Sequence, residues 1–157
     1  MVPASYTAGM VKADFSIPSR LAWWLGLSGL LPFVVLALLL TSIGPPHWQA
    51  TAGLGLVAYG ALISSFLGGI HWGLAMRRGQ SGGLLLVWGV VPSLLAWPAF
   101  FMPAGFGLLL QAGALSTCYL VDRQVYPAEG LQPWLRLRAT LTAVSVASCL
   151  TGAWAAW

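Results

Sequence analysis

Charge is what this sequence has least of. Its 157 residues include seven Lys or Arg and three Asp or Glu, 6% of the chain, where a soluble surface normally carries about a quarter. That scarcity excludes surface salt-bridge networks, nucleic-acid binding and a solvated acid/base site. Cysteine is also sparse. Cys118 lies about three residues from the charged end of one apolar run and Cys149 near the middle of another. At 1.5 Å per residue their depths differ by roughly 10 Å, too far for a disulfide, so two buried free thiols are expected. No GxSxG, HExxH, Walker A or GxGxxG motif occurs, the only Glu stands in a loop, and no His/Cys/Asp/Glu group has metal-ligand spacing. Hydrolytic chemistry and a metal site are therefore not expected, and the chain reads as a non-enzyme. Internal repeats are absent too, which argues against an inverted-repeat transporter acting as a monomer.

What fills the sequence instead is apolar: 59% hydrophobic residues and a mean hydropathy of +0.83. This is the composition of an integral membrane protein. Spanning about 30 Å of hydrocarbon takes roughly 20 apolar residues in a helix, because every backbone N–H and C=O must be satisfied within the segment. Five segments qualify: 21–43, 51–76, 83–101, 104–121 and 139–157. They predict an all-α bundle of five transmembrane helices over residues 21–157, with a kink at Pro92 in the third. Residues 1–20 are polar, and the apolar run after them is too long for a signal peptide. They read as a retained, mobile cytoplasmic tail.

The connections differ in charge. GPPHWQA and MP carry none, whereas the tail, the RRGQSG turn and DRQVYPAEGLQPWLRLR hold every Lys and Arg. If the five helices alternate, all the basic residues fall on one side, and the positive-inside rule places the N-terminus in the cytoplasm and the C-terminus in the periplasm. Orientation thus accounts for the net charge of +4. Tryptophans agree: Trp23, Trp24, Trp72 and Trp134 fall near one interface, and Trp48, Trp97, Trp154 and Trp157 near the other, with Trp88 about one turn inside.

Within the second segment, Gly53, Gly60, Ser64, Gly68 and His71 follow helical spacing and form one stripe. Small residues in that pattern let backbones approach closely, so the stripe reads as a helix-packing face. Gly107, Gln111, Ala114 and Cys118 form a comparable stripe in the fourth, where Gln111 requires an interhelical partner. Serines near His71 are expected to bond back to their own helix. His71 itself lies roughly 9 Å of helix rise inside Arg77 and Arg78, and an ionisable group at that depth is a functional candidate. Asp122 is its nearest plausible acid; Tyr119 and Tyr59 are other polar candidates. Three readings stand open: a neutral histidine bonded to another helix, a proton-relay or ligand-contacting group, and a haem or metal ligand. The last lacks a second imidazole at compatible depth, since His47 lies in the outer loop.

The segment 122–138 reads as a topology-setting loop, with Pro127 and Pro133 as breakers and Trp134 as an interface anchor. Pairing of Asp122 with Arg136 or Arg138 would lock the last two spans. Taken together, LGLSGLLPF (25–33), YGALISSFLGGIHWGLA (59–75), the VPS at 91–93, and Asp122 followed by QPWLRLRATLT (132–142) resemble the transmembrane protein 69 family. That family is also catalogued as domain of unknown function 3429, and comprises small multi-pass proteins of proteobacterial inner membranes and animal mitochondria. The resemblance covers about residues 16–150. The positions matching the family pattern are Pro32, Gly68, Gly69, His71, Trp72 and Gly73 in the first half, with Pro92, Asp122, Trp134, Arg136 and Arg138 after them. Leu135 departs from it, where an aromatic is frequent. The resemblance implies a membrane location and brings no activity.

The expected function is therefore a non-enzymatic inner-membrane protein, an accessory, structural or assembly subunit packing through its glycine faces against other subunits or itself. The alternative is a small proton- or solute-conducting protein using His71 and Asp122. No cofactor is expected, a lipid or quinone contact stays open, and a haem would have to be shared with a partner. The bilayer, other inner-membrane subunits and a second copy of the chain are the expected partners, and nucleic acid is not.

Overall fold

Helices begin where the sequence supplies a cap or a first-turn proline. The computed structural model describes residues 17–41 and 45–157; most of the expected tail, and Ser42 and Ile43 of the first expected span, lie outside them. Ser19 accepts a hydrogen bond from the Ala22 N–H at 3.1 Å and opens α1, Arg20–Ser28. A bend at Gly29 and Leu30 separates it from α2, Leu31–Leu40, whose Pro32 sits in the first turn, where a missing N–H leaves no intrahelical bond unmade. α3, Pro46–Arg78, is the longest helix at 33 residues, about 50 Å. A 3-10 turn at Gly79–Gly82 leads into α4, Gly83–Ala96, which tightens into a second 3-10 turn, Trp97–Phe101. α5, Ala104–Ala128, and α6, Leu135–Ala155, are joined through a short 3-10 turn at Gln132–Trp134. No strand occurs among the described residues.

Four stretches are long and apolar enough to cross a membrane: Arg20–Leu40, Pro46–Arg78, Gly83–Phe101 and Ala104–Ala128. α6, at 21 residues, is of similar length but richer in hydroxyls, with Thr140, Thr142, Ser145, Ser148 and Thr151 along it.

The helices overrun the expected spans, for physical reasons. α3 starts at Pro46 instead of 51, because a proline at the first position has its φ preset for a helix. α5 runs past Asp122 and through Pro127, expected to be a breaker. So close to the helix end, that proline disturbs only the final turn, and helical hydrogen bonding does not stop at the edge of the hydrocarbon. α6 begins at Leu135, so Arg136 and Arg138 are helical as well. Asp122 and the arginines thus stand on helices instead of in a loop.

α3 is the hub. It lies against α2, α4 and α5, while α6 packs on α5 and α2; α1 touches α6 lightly and buries no residue. Phe33, Leu56, Leu108, Leu115 and Cys149 fill the core. The tightest approach joins α3 to α4: a Cβ placed on Gly68 would lie 2.2 Å from the Gly89 carbonyl oxygen. Arg77 and Arg78 both pair with Glu129, so the C-terminal ends of α3 and α5 are neighbours. At the other end the Phe106 and Trp157 rings meet at 4.6 Å, joining the start of α5 to the end of α6.

Candidate functional site

The small-residue stripes are consumed inside the chain. Gly53 faces Ala104 and Leu40, Gly60 faces Gln111, and Gly107 faces the Ala99 carbonyl and Val57. Gly68 meets Gly89, and Gly89 in turn lies under Trp72. The expectation that these faces receive another subunit is corrected accordingly: they are buried against this chain's own helices. Gln111 finds its interhelical bond, Nε2 donating to the Ala96 carbonyl at 3.2 Å. Ser116, Thr117, Thr140 and Ser145 bond back to their own helices. Ser64 does not; its buried Oγ has no hydrogen-bond partner. Ser64 lies on the packed inner side of α3 beside Gly60 and Gly68.

At the arginine end of this interior, three helices bring three polar side chains together. Asp122 of α5 is 1% exposed, His71 of α3 1% and Arg138 of α6 8%. Arg138 Nε donates to Asp122 Oδ2 at 2.6 Å, and His71 Nε2 lies 3.5 Å from Asp122 Oδ1. Trp88 of α4 closes the fourth side, its ring edge-on to the imidazole at 6.4 Å. Arg136, the other arginine considered for Asp122, is exposed. Two positions along a helix turn a side chain by about 200°, so Arg136 and Arg138 cannot share a partner.

The hydrogen bonds constrain the protons. His71 Nδ1 is 3.2 Å from the Leu67 carbonyl, which can only accept, so Nδ1 carries the hydrogen. A neutral imidazole then has only a lone pair at Nε2, aimed at a carboxylate oxygen that also offers only lone pairs. The contact is favourable when one further proton lies between His71 and Asp122, on either partner. Arg138 compensates the carboxylate from its other oxygen. Polar atoms around it keep unused capacity: His71 Nε2, Trp88 Nε1 and Arg138 Nη2 are buried without hydrogen-bond partners. Among the described residues no three His, Cys, Asp or Glu side chains converge as a metal would require.

Tyr126, one turn beyond Asp122 on α5, is 3% exposed and stands beside Arg138. Reading the segment as a loop hid it; a helical register continued past Asp122 would have placed both on one face. Trp88 and Gly89 were hidden for another reason, since nothing in the α4 sequence fixes its rotation against α3.

Over residues 18–154 the chain matches the family described as "Protein of unknown function (DUF3429)". It is 35% identical over 136 residues to transmembrane protein 69 of Xenopus tropicalis, an alignment covering 81% of this chain and 51% of that protein. The chain spans about half the length of this curated relative. No solved structure matches it. With the match running from ahead of α1 almost to the end of α6, the chain belongs to the transmembrane protein 69-like DUF3429 family of multi-pass membrane proteins.

Proposed function

We propose that this protein is a non-enzymatic, five-span component of the bacterial inner membrane, N-terminus in the cytoplasm, that packs through the outer face of α3 against another membrane helix. Its partner is a subunit of a larger complex or a second copy. One observation carries the reading. Ser65, Gly69 and Gly73 recur every fourth residue on α3, all exposed, and a Cβ on either glycine would meet nothing within 4 Å. Small residues at that spacing, facing lipid, are the pattern by which membrane helices associate. The fifth span is α6, where Thr140 and Ser145 bond back to the helix and Thr142, Ser145 and Ser148 are buried. Orientation is supported by the basic residues, which cluster where α3 ends and α6 begins.

The test is native mass in mild detergent, comparing wild type with Gly69→Leu and Gly73→Leu. Both positions face open space, so the variants fold, and they are expected to migrate as a smaller species that has lost its partner. Leucine variants migrating with the wild type would overturn the reading.

A second reading is favoured by the His71–Asp122 contact: a proton-conducting protein in which that pair takes up and releases the proton between them. It predicts pH-driven flux in liposomes that His71→Ala or Asp122→Asn abolishes. Liposomes with no flux in either direction of the gradient would eliminate it.

A further inference from the structure

Because α1 stands away from the bundle, a cavity of about 580 Å³ opens between α1, α2, α3 and α6. That is within the usual size range of small-molecule sites, about 300–1,000 Å³. Its polarity is graded. Along α3 the wall runs from Ile63 through Leu67, Ile70 and Leu74 to Arg77, roughly 21 Å of helix rise. On the facing side α6 contributes Arg138 near one end and Leu141 and Ser145 further in. Arg77, Tyr126, Trp134 and Arg138 are therefore gathered at one end, and the remainder is mostly apolar, with Phe33 and Phe66 among the aliphatic side chains. Leu25 and Ala22 of α1 form the outer wall, and Leu25 is itself exposed, so the cavity is reached sideways from the bilayer.

A cationic end and a long apolar trough match an amphiphile with an anionic head. Arg138 spends only its Nε on Asp122, while its Nη2 is buried with no partner. Arg77, paired with Glu129 through Nη2, adds a guanidinium that is largely exposed at the same end of the cavity. Guanidinium groups suit phosphate oxygens, which accept their N–H donors in pairs, and basic pockets between membrane helices bind lipid headgroups. We propose that this cavity binds one anionic phospholipid of the surrounding bilayer, its phosphate at Arg138 and Arg77 and one acyl chain laid along Ile70, Leu67 and Ile63 of α3. The outward stripe of Ser65, Gly69 and Gly73 plays no part in it, so this site and the association surface stand or fall separately.

The experiment is native mass spectrometry of the full chain after exchange from vesicles of equimolar phosphatidylglycerol and phosphatidylcholine into mild detergent. A single phosphatidylglycerol adduct is expected, favoured over phosphatidylcholine by about tenfold or more. Ile70→Trp narrows the trough midway and Leu25→Trp blocks the outer wall; each is expected to lower that adduct by about tenfold with helicity unchanged. Arg77→Gln, at an exposed position, is expected to reduce the preference for the anionic lipid. Excess inorganic phosphate should leave the adduct intact. Equal adducts of the two lipids in the wild type would overturn the proposal, whatever the variants do. So would full occupancy in the tryptophan variants, displacement by free phosphate, or an adduct formed only by added fatty acid or ubiquinone.

Discussion

Asp122 accepts from Arg138 on one oxygen and faces His71 with the other, so replacing it by Asn leaves a guanidinium sealed without its counter-charge. Breaking a buried pair from one side typically costs about 3–5 kcal/mol, and Asp122→Asn is expected to lose stability of that order in detergent unfolding. Asp122→Leu combined with Arg138→Met removes both charges together and is expected to recover most of it. A double variant as unstable as the single would mean that the pair does more than neutralise itself. The partnership of His71 with Asp122 was legible in the sequence because no other acid lies at a comparable depth. The choice between Arg136 and Arg138 was not, since it turns on whether residue 135 is already helical. Ser64 was misjudged because back-bonding is only an average habit of membrane serines: the likewise buried Ser145 follows it and Ser64 does not.

Among elements, α3 is governed by its ends as much as by its middle. About 50 Å of helix exceeds the hydrocarbon thickness by several turns, so its C-terminal turn emerges where Arg77 and Arg78 meet Glu129. Burial pushes the Glu129 carboxyl up, but the two guanidinium groups more than reverse this and hold it below the usual carboxylate range. A lowered folded-state value means the clamp's stabilisation is fully present above about pH 4.3, the ordinary glutamate value, and is lost as pH falls through the lowered one. Arg77 and Arg78 are well exposed, 59% and 37% at their side chains, which limits the effect to about 1 kcal/mol. Glu129→Gln is therefore expected to be slightly less stable than wild type at pH 7, with the gap closing as acid protonates the carboxylate. A gap that widened in acid would contradict the ion pair. The element boundaries most poorly read from sequence were those next to charge or proline, where composition marks the membrane edge and the backbone does not obey it.

The whole molecule concentrates its arginines at one end and leaves the other nearly uncharged. Labelling from each side of sealed vesicles tests the orientation we propose. Cys118 and Cys149 are both free and buried, so they are expected to stay silent, and a cysteine added at exposed Ala128 or Trp48 would report alone. Ala128→Cys is expected to react only from the cytoplasmic side and Trp48→Cys only from the opposite one. The reverse pattern would invert the topology. Four of the five expected spans were readable from hydropathy; α6 is long enough to cross but is diluted by its hydroxyls. Neighbour relations between spans were not readable, because the same glycine stripe serves an internal neighbour and a foreign one equally well.

The contact between Gly68 and Gly89 also sets unequal terms for genetic repair. A methyl group at position 89 would strike the Trp72 ring at 1.9 Å, a side chain that a second mutation can shrink. A methyl group at position 68 would strike a peptide carbonyl, and no codon removes a carbonyl. Suppressors of Gly89→Ala should accordingly arise at Trp72, while a selection for suppressors of Gly68→Ala should return only true revertants.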